Sequence, residues 1–188
     1  NQAIRKCHTM TFNFKNLTTP ESIDQYVSSF CRTLSSESPV YIDVEPELWC
    51  KQSNCEMNVN KYIEQNGGEK VIGYKIWYIK RKYIEAERHV VYRNDGVYKD
   101  LTFNTDGENI ILFVPDSKKI TYDEKPLKIR MGLTQKTRLL AKQYDLHETG
   151  ILQMSQEDSW NAMPSYEDWL KGIRMPNLIP VPAKPGLR

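Results

Sequence analysis

Cysteine, histidine and aspartate occur in the order Cys55, His89, Asp100, separated by 34 and 11 residues. Thiol catalysis needs a sulfur nucleophile, a base to take its proton, and an acid to fix the base's tautomer. Cys55 stands in Ser53-Asn54-Cys55-Glu56-Met57-Asn58-Val59. The other two lie in Glu87-Arg88-His89-Val90-Val91-Tyr92-Arg93-Asn94-Asp95-Gly96-Val97-Tyr98-Lys99-Asp100. Whether the three can meet depends on the elements that carry them.

A helix is predicted from about Asn54 to Gln65, with Met57, Val59, Tyr62 and Ile63 facing inward and Asn66-Gly67-Gly68 ending it. Cys55 then occupies the first turn, where backbone N–H groups and the positive end of the dipole favour an anion. Val71 to Ile79 is apolar or aromatic on both alternating faces, the pattern of a central strand. A second strand is expected over Tyr83 to Arg93, a hairpin at Asn94-Asp95-Gly96, and a return over Val97 to Phe103. One more strand, Asn109 to Val114, would complete a four-stranded antiparallel meander. A two-residue Asp95-Gly96 loop sets Val91 opposite Asp100 and His89 opposite Thr102. His89 and Asp100 then share a face as diagonal neighbours roughly 7–8 Å apart, within side-chain reach. A three-residue loop would put them on opposite faces.

The remaining chain supplies a frame. Met10 to Phe14 alternates like a short strand. Thr19-Pro20 reads as an N-cap and first helical position, followed by Ile23, Tyr26, Val27, Phe30, Cys31 and Leu34 on one apolar face. Val40, Ile42 and Val44 mark a strand. Residues 116–128 are charged and turn-rich, and a helix is expected from about Thr134 to Tyr144. Ser165 caps a last short helix through Ile173. The expected division is one α+β domain over residues 1–174 and an extended tail over 175–188, which holds Pro176, Pro180, Pro182 and Pro185.

Composition sets outer limits. With 26 basic and 24 acidic residues the net charge is +2, too balanced to argue for nucleic acid or a membrane surface. No run approaches the length of a membrane-spanning helix. Cysteines at 7, 31, 50 and 55 need not pair in a chain of this length, and Cys31 falls on a helix's apolar face. A reducing, cytoplasmic setting is the expectation, and delivery into a host cell as an effector is compatible with it.

Taken singly, each of the three residues has an ordinary reading as a half-buried thiol, a core histidine or a solvated acid. Their joint placement is what points to a triad. Three other readings compete. Cys50 and Cys55, with His89 and Cys7 or His8, could ligate zinc, although the tight Cys-x2-Cys spacing is absent. The same two cysteines could also form a redox pair, or the proline-rich tail could serve a binding module.

Cys55-Glu56-Met57-Asn58-Val59, Glu85-Ala86-Glu87-Arg88-His89-Val90-Val91-Tyr92 and Asp95-Gly96-x3-Asp100-Leu101-Thr102 resemble the papain-like fold group. Within it they are most similar to the transglutaminase-like branch, which includes arylamine N-acetyltransferases, bacterial glutamine-deamidase toxins and little-described bacterial proteins. The resemblance covers about residues 47–115. It implies an α+β core in which a helix bearing the nucleophile packs on an antiparallel sheet. It also implies Cys55 as nucleophile, His89 as base and Asp100 as orienting acid, with no metal or cofactor. Glu56 stands where papain-type peptidases often carry an aromatic residue. The implied activity is a cysteine hydrolase or amidase of deamidase or peptidase type on a protein or peptide-like amide, with acyl transfer as the alternative. Gln52 and Asn54 are candidate oxyanion donors, and Glu87 and Trp77 candidate lining residues.

Overall fold

Across the described residues (16–116, 118, 127–149 and 154–174) the computed structural model is an α+β arrangement. Its elements run α1 (Gln25–Leu34), β1 (Val40–Asp43), α2 (Cys55–Asn66), β2 (Glu69–Ile79), β3 (Tyr83–Asn94), β4 (Val97–Lys99), β5 (Ile110–Pro115) and β6 (Lys128–Gly132). Three helices follow: α3 (Gln135–Glu148), α4 (Gln156–Ala162) and α5 (Tyr166–Leu170). The strand expected at Met10–Phe14, Cys7, His8 and the tail over 175–188 lie outside the described residues.

All strand pairs are antiparallel, in the order β1-β5-β2-β3-β4, with β6 beside β3. Apolar on both faces, β2 takes the central place its sequence predicts. The hairpin register is also as expected, pairing Tyr92 with Lys99, Arg93 with Tyr98 and Asn94 with Val97. Asp95 and Gly96 both have positive φ, 48° and 78°, as the tight two-residue turn requires.

The meander does not continue past β4. Asp100 turns away from β3: its N–H donates to Asp43 O at 3.0 Å, and its carbonyl accepts from Glu45 N–H at 2.8 Å. The predicted strand to Phe103 therefore ends at Lys99. Residues 101–109 cross the sheet, and β5 pairs with β2 and β1 instead. A simple meander would leave β2, apolar on both faces, at an open edge of the sheet, and pairing with β5 closes that edge.

Register assigns the faces. Val71, Gly73, Lys75 and Trp77 of β2 share one face with Glu85, Glu87, His89 and Val91 of β3. Val91 there joins Ile42, Ile111 and Phe113 in a buried cluster. On the other face Tyr74, Ile76, Tyr78, Ile84 and Val114 pack under Val27, Phe30 and Cys31 of α1. Burying a large apolar side chain contributes about 1.5–3 kcal/mol. Gly73 is needed where it stands: a Cβ would sit 2.2 Å from Val114 O and 2.5 Å from the Phe113 ring.

Helix α1 begins later than Thr19-Pro20 predicts. Asp24 is the cap, accepting from Tyr26 N–H at 2.9 Å and Val27 N–H at 3.0 Å. Thr18 and Thr19 are taken by the Glu108 carboxylate, which removes Thr19 from capping. At the other end of the chain, α3 runs four residues past Tyr144, and α5 stops at Leu170 rather than Ile173. No helix among the described residues is long and apolar enough to cross a membrane.

Candidate active site

Cys55 opens α2, as expected, with Asn54 at the cap position. Ser53, two residues before it, has φ 57°, a conformation uncommon for a residue with a side chain and frequent at functional turns. The preceding loop is held from the far end of the sequence. Tyr166 N–H donates to Cys50 O at 2.8 Å, Glu167 N–H to Leu48 O at 3.0 Å and Gln52 N–H to Pro164 O at 3.1 Å. Phe103, Tyr166 and Trp169 close this junction with ring centroids 5.2–5.9 Å apart.

One turn into α2, Asn58 is fully buried and acts as a second clamp. Its Oδ1 accepts from Lys51 N–H at 2.7 Å, while Nδ2 donates to Lys51 O at 2.8 Å and to Thr102 Oγ1 at 3.1 Å. Asn58 thereby joins the loop before the thiol to the segment after Asp100. The sequence reading missed it. The available signal was an asparagine beside Val59 on the inward side of an otherwise apolar helix face.

His89 lies in a short window of β3 that has no strand neighbour on one side. β6 covers Tyr83–Glu87 and β4 covers Tyr92–Asn94, so the window spans residues 88–91. Its Nε2 meets Asp100 Oδ1 at 3.0 Å, with both side chains buried. Thr102 N–H also donates to that oxygen, at 2.9 Å. Cys55 is the second hydrogen-bonding partner of the imidazole, which leaves Nδ1 as the nitrogen facing the sulfur. Burial works against a charged imidazole here. The Asp100 carboxylate and Cys55 overcome it and hold His89 well above its ordinary value, at about 10.

Two cavities, of about 430 and 460 Å³, meet at Cys55. The first is lined by His89, Gln52, Trp77, Glu87, Lys75 and Asn104 among others. The second, beyond Ser53 and Cys55, is lined by Met57, Met154 and Leu127 with the carboxylates of Glu56, Glu87 and Glu148. Partial burial pushes the Glu87 carboxyl up, but Lys128, Lys75 and His89 together hold it below the usual carboxylate range.

The expected lining residues Gln52, Glu87 and Trp77 therefore reach the cleft. Asn54 is different. It is buried, and its Nδ2 donates to Gln52 O at 2.7 Å, so it braces the loop rather than offering a donor to substrate. Gln52 Nε2 donates to Thr105 Oγ1 at 2.9 Å, and its Oε1 is buried with no partner among the described residues.

Lys75 and Asn104 were not foreseen as site residues. Lys75 is hidden in the apolar run of β2, and Asn104 lies in the crossover that was read as a strand end and turn. The competing metal and redox readings centre on Cys50. Burial pushes the Cys50 thiol up to about 12, and among the described residues no disulfide joins Cys31, Cys50 or Cys55. Among the described residues no group of three histidine, cysteine or acidic side chains is arranged to hold a metal ion. Comparison with family models, with curated proteins and with solved structures finds no match for this chain.

Proposed function

We propose that the protein is a cysteine-dependent hydrolase acting on an amide bond of a protein or peptide-like substrate. The reading includes a papain-like, transglutaminase-like core. What supports the core is a thiol at a helix start, a histidine on β3 and an aspartate just beyond β4 of an antiparallel sheet. The observation that carries the activity is the contact chain from Cys55 through His89 to Asp100, with 3.0 Å between the last two.

In this mechanism His89 takes the Cys55 proton and the sulfur attacks the carbonyl carbon, moving the carbonyl electron pair onto oxygen. The C–N bond then breaks as His89 returns the proton to the leaving nitrogen. Water, losing a proton to His89, cleaves the thioester and releases the thiolate. Asp100 orients the ring and stabilises its charged form throughout. The oxyanion is met by the Cys55 backbone N–H at the helix start, together with the Gln52 amide. One N–H of Gln52 Nε2 is given to Thr105 Oγ1, and the other is the donor assigned to the oxyanion.

Acyl transfer to an amine is a second reading with its own support. The 460 Å³ cavity combines apolar Met57, Leu127 and Met154 with three carboxylates, a setting suited to an alkylamine acceptor.

The first test is the pH dependence of Cys55 alkylation by iodoacetamide. The wild type should react at a rate nearly independent of pH between 6.5 and 8.5. In His89→Ala the rate at pH 6.5 should fall about a hundredfold, because an ordinary thiol is only about 1% ionised there. The same steep, ordinary-thiol profile in both proteins would sink the triad.

A further inference from the structure

Lys75 is 3% exposed, on the strand face that carries His89. Its ammonium donates to Asn104 Oδ1, 29 residues further along the chain, and lies 4.3 Å from the centre of the Trp77 ring. Lysine has only donors, so the contact fixes Oδ1 as the carbonyl end of the amide. Asn104 Cγ is then one bond beyond the atom that the amine touches. The other end, Nδ2, is buried and has no hydrogen-bond partner among the described residues. A third group completes the set. Glu87 stands directly across the β2–β3 ladder from Lys75. Partial burial pushes its carboxyl up, but Lys128, Lys75 and His89 outweigh this and keep it an anion.

An amine, a carboxamide carbon and a carboxylate therefore meet in one place shielded from water. In solution an amine seldom attacks a carboxamide, because it is protonated and the two rarely meet in the right geometry. Holding them in contact removes the second obstacle, since well-oriented pairs reach effective molarities on the order of 10⁵ M or more. A neighbouring carboxylate that accepts the proton removes the first. Burial also favours the product. A neutral secondary amide replaces a buried ammonium and a buried NH2 without a partner, both of them costly.

We propose that Lys75 and Asn104 join in an intramolecular isopeptide bond, with Glu87 carrying the proton. Glu87 takes a proton from the Lys75 ammonium, and the freed nitrogen pair forms a bond to Asn104 Cγ. The carbonyl pair moves onto Oδ1. Glu87 passes its proton to Nδ2, the carbonyl re-forms, and the Cγ–Nδ2 bond breaks to release ammonia. Ammonia takes the second proton of the attacking nitrogen and leaves as ammonium through the cavity that Lys75 and Asn104 line. One C–N bond forms and one breaks, with no oxidant and no second protein. The product fastens the crossover at 101–109 to the central strand beside Cys55. It uses neither the thiol nor His89, so it stands apart from the hydrolase reading.

Intact-mass spectrometry of the full chain tests it. The wild type should weigh about 17 Da less than its sequence, the mass of the ammonia lost. A tryptic digest should place the loss: residues 71–80, uncut at Lys75, should appear joined to residues 100–118. Lys75→Arg keeps a cation on β2 but has no amine to acylate, so it should show its full sequence mass, folded or not. Glu87→Gln should cross-link about a hundredfold more slowly, the scale of a lost proton carrier. Cys55→Ala should be cross-linked like the wild type. A wild type of full sequence mass overturns the proposal, as does an ammonia loss that maps elsewhere or persists in Lys75→Arg. Cross-linking of Glu87→Gln at the wild-type rate overturns the role of Glu87. A Cys55→Ala chain without the bond would assign the chemistry to the thiol and overturn the mechanism.

Discussion

Strand β3 serves two polar clusters that differ in how completely their charges are answered. Towards its start, Glu85 accepts from Tyr83 Oη at 2.8 Å and from Lys128 Nζ at 2.9 Å. Arg130 of β6 adds Asp145 at 2.8 Å and Glu148 at 2.6 Å, and so ties α3 to the sheet. Charge meets charge throughout. Four residues further along β3, the cleft has the opposite character. Among the described residues Lys75 forms no close ion pair, and Gln52 Oε1, Asp100 Oδ2 and Asn104 Nδ2 are buried without partners. Answered charges bind elements together; the buried polar atoms left without partners among the described residues gather instead beside a thiol.

Removing one member of the satisfied cluster gives the largest expected effect. Arg130→Met removes the buried cation that Glu85, Asp145 and Glu148 share and should cost about 3 kcal/mol by urea denaturation. It should leave the pH profile of Cys55 alkylation unmoved. Asn58→Ala loosens the scaffold of the cleft by removing three buried hydrogen bonds, at about 2 kcal/mol. Here labelling of Cys55 should slow as well, since both the loop at Lys51 and the Thr102 contact are released.

A third prediction concerns pH. His89 is raised when folded, so its contribution to stability is complete below 6.5 and is lost as pH rises towards about 10. Cys55 is one cause of that rise, so Cys55→Ala leaves the part owed to the Asp100 carboxylate. In that background stability should decline above pH 6.5 by at most about 1.4 kcal/mol per unit, and Asp100→Asn should flatten the slope. Lys75→Met closes the series, made in Glu87→Gln so that no cross-link is lost with the lysine. Losing the Asn104 contact is offset by removing a buried ammonium, so stability should change by less than about 1 kcal/mol. A loss as large as that of Arg130→Met would place Lys75 among the structural charges and erase the contrast.

Local chemistry made much of this legible in the sequence. Asn94-Asp95-Gly96 pointed to a two-residue turn, and the register it sets, through Tyr92 and Lys99, leads the chain so that His89 and Asp100 meet. Gly67 and the Cys55–Ile63 pattern bounded α2 to within a residue. What stayed hidden depended on partners distant in the chain. Thr19 looks like a cap until Glu108 arrives to occupy it. Lys128–Gly132 alternates too weakly to announce a strand, and pairs because β3 is longer than β4. Asn58, Lys75 and Asn104 gain their meaning from segments 7 to 44 residues away, contacts that no periodicity encodes.

The clamp at residues 163–167 has a consequence in time. The loop in front of Cys55 is fastened by backbone groups made more than a hundred residues after it. While the chain is being synthesised, Leu48 to Gln52 have nothing to hold them, and Cys55 lacks its finished surroundings. On the proposed reading, reactivity arrives last, once the C-terminal elements have docked. A thiol that stays unassembled until then has little chance of attacking the neighbouring chains among which it is born.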